Sequence, residues 1–367
     1  MRILVINPIM YTSETRQIKR ADSIKDTMMY DLCLAFHELG HRVTLAGGEP
    51  FRPLEEERYP FEVLWWKCVW TKIFLPHRIP FMPETFRNVK TGGYDLVLTS
   101  EVFSVNSLLA YRAAPQKTLV WHELAKHNAM MKQIPSRFWY CVVVRLLMKN
   151  VRVVARSEQA KEFIRRYCRN TDDRIIDHGV NLDRFHAKRE KKNYFVVCSQ
   201  LIARKRIHGI LEKFRDYLDQ YDPGCHLYVI GSGELEESLK NFSRRLKMED
   251  HVVFTGKMSH SELIPVLAEA KALLVNTEKD NNMISIVESI AAGTPIVTTE
   301  VPLNSVYIRE YGLGIVQNEW GADDLDQIVK NNAEYVQNCM AYREKLSTKE
   351  KAGQFITISH ESAKKQL

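Results

Sequence analysis

Short apolar runs alternate with helical patterns along almost the whole chain, and this alternation restricts the fold more than any single motif does. A first series of runs lies at residues 2–7, 42–46, 95–99, 118–121 and 151–155. A second comprises Tyr194–Cys198, His226–Ile230, Val252–Thr255, Ala272–Asn276 and Ile296–Thr299. Helical stretches separate them, such as Asp31-Leu-Cys-Leu-Ala-Phe-His-Glu-Leu, which Gly40 closes in the position that favours a left-handed backbone. Strands that are apolar throughout belong to sheets covered on both faces, and parallel neighbours need a helical crossover. The expected class is α/β, with two Rossmann-like doubly wound domains. A chain of 367 residues has room for both cores, at ~100–200 residues per domain. The break falls near 180–193, where Gly179-Val-Asn-Leu-Asp-Arg-Phe185 runs into the polar stretch Ala187-Lys-Arg-Glu-Lys-Lys-Asn193. We therefore expect domains at 1–182 and 183–345, with a helical tail at 346–367 packing back on the first. Two such sheets facing one another would place their switch-point crevices on a shared cleft, the usual ligand site of open α/β sheets.

Several functions are excluded early. The seven cysteines are odd in number and never form Cys-x-x-Cys, which argues against a disulfide framework or zinc site and for reduced thiols in the cytoplasm. A strand begins almost at Met1, so no signal peptide is expected. No apolar run approaches the ~18 residues that span a bilayer. The net charge is +7, yet no nucleic-acid motif accompanies it, and no nucleic-acid partner is expected. There is no Gly-x4-Gly-Lys-Ser/Thr, which excludes a standard P-loop, and no Asp-x-Asp metal motif. We expect neither a metal nor a cofactor.

The most informative stretch is Asp280-Asn-Asn-Met-Ile-Ser-Ile-Val-Glu288, which continues through Ser289-Ile-Ala-Ala-Gly293-Thr-Pro295 into a new strand. Two carboxylates flank a loop that becomes a helix, and a helix N-terminus offers unpaired N–H groups and a positive dipole end to a phosphate. A carboxylate on either side could hold the hydroxyls of a sugar or ribose. Ser285-x-x-Glu288 also spells a capping box, in which Glu288 would merely start the helix. On the residues alone both readings stand.

Asp280 to Val297 resembles the donor-site signature Glu-x7-Glu of retaining glycosyltransferases of the GT4 type, which have the GT-B fold. The resemblance spans nearly the full chain. It implies that Glu288 binds the nucleotide ribose and Asp280 the donor sugar. The amides of Asn282, Met283, Ile284 and Ser285 would hold the diphosphate. Asp280 is one methylene shorter than the family's glutamate, Asn281 replaces a common glycine, and Met283 stands where another glycine is usual. Ser199-Gln200-Leu201-Ile-Ala-Arg204-Lys205-Arg206 is similar to the family's Gly-Arg-Leu-x-x-x-Lys-Gly. Lys205 takes the lysine position. Gln200 replaces the arginine, so Arg204 or Arg206 would supply the second charge that a departing diphosphate needs. The glycine turn with Gly231 and Gly233 lacks a third glycine, which argues against a nicotinamide site. In the family this turn lines the nucleotide pocket, and the segment with Lys257 lies beside the base. Thr118-Leu-Val-Trp-His122-Glu123 resembles the family's His-Asp/Glu pair, placing His122 at a strand end near the reacting carbon. The first turn, Asn7 to Arg16, lacks the family's Gly-Gly loop. His178–Phe185 and Ala155–Glu158 read as hinge and interdomain structure.

Basic and aromatic residues cluster in the first half. Residues 124–157 hold seven Lys/Arg and no Asp or Glu, and Arg137, Arg145 and Lys149 fall on one stripe of a helix expected at 136–150. Trp139, Tyr140, Val143, Val144, Leu146 and Leu147 fall on the other side, which would face a core. The same helix could instead attach to an anionic membrane surface, with Trp65, Trp66 and Trp70 inserting beside it.

The resemblance to the GT4 type, with no Asp-x-Asp motif present, implies a retaining, metal-independent hexosyltransferase. It would move sugar from a nucleotide diphosphate sugar (UDP first, GDP second) to a glycan or lipid-linked acceptor in bacterial cell-surface glycan synthesis. Its expected place is the cytoplasm, peripheral on the inner face of the plasma membrane. Two other readings fit the same residues: a GT-B sugar-nucleotide epimerase, and a non-catalytic scaffold partnering an active transferase.

Overall fold

The computed structural model describes residues 1–10, 23–25, 27–54, 57–70, 80–126, 129 and 131–364. Most of the first-turn segment, and residues 71–79 of the tryptophan-rich stretch, lie outside the described residues. The chain forms two compact units, Met1–Gly179 with Thr348–Leu367, and Val180–Ser347.

In the first unit, β1 (Arg2–Ile6), β2 (Arg42–Gly48), β3 (Glu62–Trp66), β4 (Leu96–Ser100), β5 (Thr118–His122), β6 (Arg152–Ala155) and β7 (Thr171–Ile175) form one parallel sheet. Its order is β3-β2-β1-β4-β5-β6-β7. Ile3–Ile6, Leu96–Leu98 and Leu119–Trp121 are buried, as the apolar runs require. The C-terminal helix Thr348–Lys364 belongs to this unit. Its Phe355 ring lies 5.3 Å from Trp121 and 6.3 Å from Phe36, and Lys351 pairs with Asp177.

The second unit holds β8 (Tyr194–Cys198), β9 (His226–Ile230), β10 (Val252–Gly256), β11 (Leu273–Leu274), β12 (Ile296–Thr298) and β13 (Gly314–Val316). These are parallel, in the order β10-β9-β8-β11-β12-β13. In both sheets the chain builds outward from its first strand, then returns to that strand's other side. The reversals fall between β1 and β4 and between β8 and β11, and there the loops diverge to leave a crevice at the strands' C-terminal ends.

Three strands have no counterpart among the apolar runs: β3, β7 and β13. All three are sheet edges. An edge strand packs on fewer neighbours and tolerates polar residues, as in Thr171-Asp-Asp-Arg-Ile175, where no side chain is fully buried.

Candidate functional site

At the second unit's switch point, the segments after β8 and β11 meet. Ala203–Lys205 makes a single tight turn, and Arg206 then adopts a left-handed backbone (φ 50°). The family places glycine there, and a non-glycine residue in this region is strained. The turn is stapled to the β11 loop because Glu278 N–H donates to Arg204 O at 2.8 Å. Side chains continue the join. Arg204 donates to Asp280 Oδ1 at 2.8 Å, and both Lys205 Nζ and the Thr277 hydroxyl donate to Asp280 Oδ2 at 2.7 Å. Lys205 is nine-tenths buried. Arg206 pairs instead with the exposed Glu278 at 2.7 Å. Arg204, not Arg206, is thus the cation beside Lys205.

The glycine turn after β9 serves this segment from behind. A Cβ on Gly231 would lie 1.9 Å from Ser199 O, and one on Gly233 2.4 Å from Leu201 O, so only glycine lets the backbones approach. Leu201 N–H donates to Ser232 O at 3.0 Å, fixing the start of the basic turn. Lys257 is exposed after β10.

The helix after the β11 loop spans Ile284–Ala291, with Met283 at the N-cap and its N–H donating to Asn304 Oδ1 at 2.5 Å. Ser285 therefore lies inside the first turn and cannot cap it. The capping-box reading of Glu288 is corrected: the helix starts earlier than that motif requires. Asn282 and Ser285 are half-buried, Met283 is buried and Ile284 exposed. Glu288 is buried one turn in, its Oε1 3.2 Å from His260 Nε2. His260 opens the helix His260–Glu269, and sequence reasoning missed it because only the packing of the two helices brings it to Glu288. Cys198 shares this neighbourhood. Burial first, then the Glu288 charge, push its thiol up to about 12 against Lys205, so it stays protonated at neutral pH.

In the first unit, adjacent strands β4 and β5 end together, bringing Glu101 to His122. His122 is fully buried, with Nδ1 2.8 Å from Glu101 Oε2, although the two are not aligned as a hydrogen bond. Nε2 has no hydrogen-bond partner among the described residues. Glu101 itself has a left-handed backbone (φ 66°), and its carboxylate also accepts the Glu123 N–H at 2.7 Å. Such strain persists only where the surroundings impose it. Glu123, the acid next to His122, pairs with Arg156 at 2.9 Å. The sequence pointed to Glu123 by adjacency, whereas the strand register gives His122 a different carboxylate.

The basic segment departs from expectation. Residues Trp139–Met148 form a π-helix that buries Tyr140, Val144 and Met148, a stripe of every fourth residue. Leu146 and Leu147, expected on a core side, are exposed, because that narrow stripe leaves them outside it. Exposed with them are Ile134, Phe138 and Val142, along with Arg137, Arg145 and Lys149. A cavity of about 820 Å³ opens at the root of this segment, lined by Lys126, Lys132 and Arg166 over Met131 and Phe163. Of the tryptophans, Trp70 is exposed and Trp65 half-buried. Trp66 cannot reach a surface, because it is buried in the core with Leu4, Ile6 and Met82.

The family described as glycosyl transferases group 1 matches residues 181–346, and glycosyltransferase family 4 matches residues 26–184. Over 129 residues the chain is 27% identical to the O-antigen chain mannosyltransferase RfbU of Salmonella typhimurium, which is 35% of this chain and 36% of that protein. The chain thus matches little more than a third of that curated relative's length. Among solved structures, sucrose-phosphate synthase from Thermosynechococcus elongatus superposes with a TM-score of 0.70 at 16% identity, covering 98% of each chain. HepE of Anabaena, solved with UDP, superposes with a TM-score of 0.67 at 14% identity, over 98% of this chain and 99% of that one. At such identities the likeness is one of fold, the GT-B fold with its two Rossmann-like sheets. The two family matches together run from residue 26 to residue 346, across the second sheet, all of the first except β1, and each site segment just described. The chain belongs to the GT4-type glycosyltransferase family.

Proposed function

We propose that the protein is a retaining hexosyltransferase that takes its sugar from a nucleoside diphosphate sugar and passes it to an acceptor hydroxyl. Lys205 and Arg204, paired beside the switch point, carry this reading. Breaking the bond between the anomeric carbon and the phosphate oxygen leaves a diphosphate whose added charge needs fixed cations. Two cations held 2.7 and 2.8 Å from one carboxylate are positioned before substrate arrives. They supply the charge that a metal ion supplies elsewhere, so the reaction proposed is metal-independent. Glu288, buried one turn into the helix, is the ribose acceptor. In the one-face reaction, the acceptor oxygen bonds to the anomeric carbon as its proton passes to the departing phosphate. His122, its Nε2 without a hydrogen-bond partner among the described residues, serves the reacting sugar.

UDP is the first nucleotide to test and GDP the second. The UDP complex of the HepE neighbour supports that order. The O-antigen relative supports a bacterial cell-surface or lipid-linked glycan as product. The test is to incubate the protein with UDP- and GDP-hexoses and a lipid-linked glycan extract, then read nucleotide release and the product's anomeric configuration. Acceptor-dependent release with retention is expected. Conversion of the donor without acceptor would instead establish the epimerase, and donor binding without turnover the scaffold.

A second reading concerns location. Among the described residues no helix is long and apolar enough to cross a membrane. Yet Ile134, Phe138, Leu146 and Leu147 are exposed on the same segment as Arg137, Arg145 and Lys149. We propose that this face lies on the anionic inner surface of the plasma membrane, each cation contributing ~1 kcal/mol near the charged lipid and the apolar side chains entering the interface. Co-sedimentation with anionic but not zwitterionic vesicles, lost in Phe138→Asp with Leu146→Asp, is the expected result. Equal recovery with both vesicles would refute it.

A further inference from the structure

The carboxylate expected to meet the donor sugar is already taken. Both oxygens of Asp280 are in use: Oδ1 accepts from Arg204, and Oδ2 accepts from Lys205 and from the Thr277 hydroxyl. The loop that carries it is tied down just before it, since the Glu278 N–H donates to Arg204 O and the Arg204 side chain also donates to Lys279 O at 2.9 Å. The side chain is short and its partners are close on three sides. A glutamate in its place could extend one methylene beyond the cations. Asp280 cannot do so without leaving them.

We propose that Asp280 is the resident counter-ion of the diphosphate subsite, occupying Arg204 and Lys205 until a nucleoside diphosphate takes them over, and that it does not read the transferred sugar. The inference rests on the reading of Lys205 and Arg204 as the diphosphate cations. It changes what the first acid of the motif does. Two cations brought this close in a partly buried turn repel one another, and a carboxylate between them lowers that repulsion. The arrangement therefore stays ordered while the site is empty, and the incoming phosphates exchange with one anion for another. Charge-assisted hydrogen bonds of this kind are the strong ones, so the exchange is felt in affinity. The same arrangement leaves sugar identity to other residues: the Thr277 hydroxyl still donates to Oδ2 when the cations turn to phosphate, and the short side chain stays beside them.

The consequences oppose those of a sugar contact. Removing the Asp280 charge strengthens diphosphate binding, because a competing anion is gone while an isosteric amide still fills the space. Removing a sugar contact weakens binding of the nucleotide sugar and leaves the free diphosphate alone. The experiment is calorimetric titration of wild type, Asp280→Asn and Lys205→Ala with UDP, UMP and UDP-glucose, and with the guanosine set in parallel. Thermal melts confirm that each variant folds. The expected result is a rise in diphosphate affinity of about tenfold in Asp280→Asn, equivalent to about 1.4 kcal/mol. Monophosphate affinity stays at the wild-type value, and the ratio of nucleotide-sugar to diphosphate affinity is preserved. Unchanged or weaker diphosphate binding in Asp280→Asn overturns the proposal, as does a selective loss with the nucleotide sugar. Lys205→Ala separates this failure from that of the underlying reading: if it binds diphosphate as well as wild type, the cation assignment falls, and the counter-ion proposal falls with it.

Discussion

The two units solve the same geometrical problem with different amounts of local sequence. Each has a parallel sheet with a switch point, and each gathers polar side chains beyond the strands' C-terminal ends. In Val180–Ser347 the site is built from two short segments, residues 199–206 and 277–288, stapled by one backbone hydrogen bond and by the Arg204–Asp280 and Lys205–Asp280 pairs. In Met1–Gly179 the corresponding cluster is a fully buried histidine and a strained glutamate that meet only because β4 and β5 are neighbours. A site made of contiguous motifs announces itself in the sequence. One made by strand adjacency does not.

This contrast is open to test, because it predicts that damage in one unit shows in binding and damage in the other in turnover. The largest effect is expected for Lys205→Ala, with a loss of about 100-fold in nucleoside diphosphate affinity, as removal of a charge-assisted contact implies. Monophosphate affinity should change little, and calorimetry compares the two. Glu288→Gln should weaken diphosphate and monophosphate alike, by about 20-fold, since a carboxylate–hydroxyl bond becomes a neutral one. An effect confined to thermal stability would reduce Glu288 to a packing residue.

For the first unit, Glu101→Gln should leave nucleotide affinity unchanged and lower kcat about tenfold, because His122 loses the charge that orients it. Parallel losses in affinity would erase the contrast between the units. The smallest effect is expected for Arg206→Gly. It relieves the left-handed backbone and so adds about 0.5–1 kcal/mol to stability. Nucleotide affinity should remain within about twofold, because Arg204 is the partner of Lys205. Denaturant midpoints and calorimetry on the same sample check both halves.

What the sequence made legible follows physical rules. The buried parallel strands were plain because a strand covered on both faces must be apolar along its length, as Tyr194–Cys198 is. The edge β7, Thr171-Asp-Asp-Arg-Ile175, was not, because partial solvation removes that requirement, and β13 is only three residues long. Asp280, Glu288 and Lys205 stood out through spacing and likeness to a family signature. The choice between Arg204 and Arg206 turned on a left-handed backbone that arginine does not advertise. Glu101 and His260 could not be found by spacing, since each reaches its partner across two elements that only packing brings together. The exposure of Leu147 escaped a 3.6-residue period because the segment is wound as a π-helix, whereas Leu146, two residues on from Val144, lies off the buried stripe in either winding.

The central claim is that Val180–Ser347 binds a nucleoside diphosphate through Lys205, Arg204 and Glu288. The most direct test is thermal stabilisation of the wild-type protein by UDP, GDP, TDP, ADP and CMP, each at about 100 times a typical dissociation constant, where one-site binding adds ~2.7 kcal/mol. A rise in melting temperature with one diphosphate, and a smaller rise or none with the others, is the predicted result. No stabilisation by any of them would contradict the account.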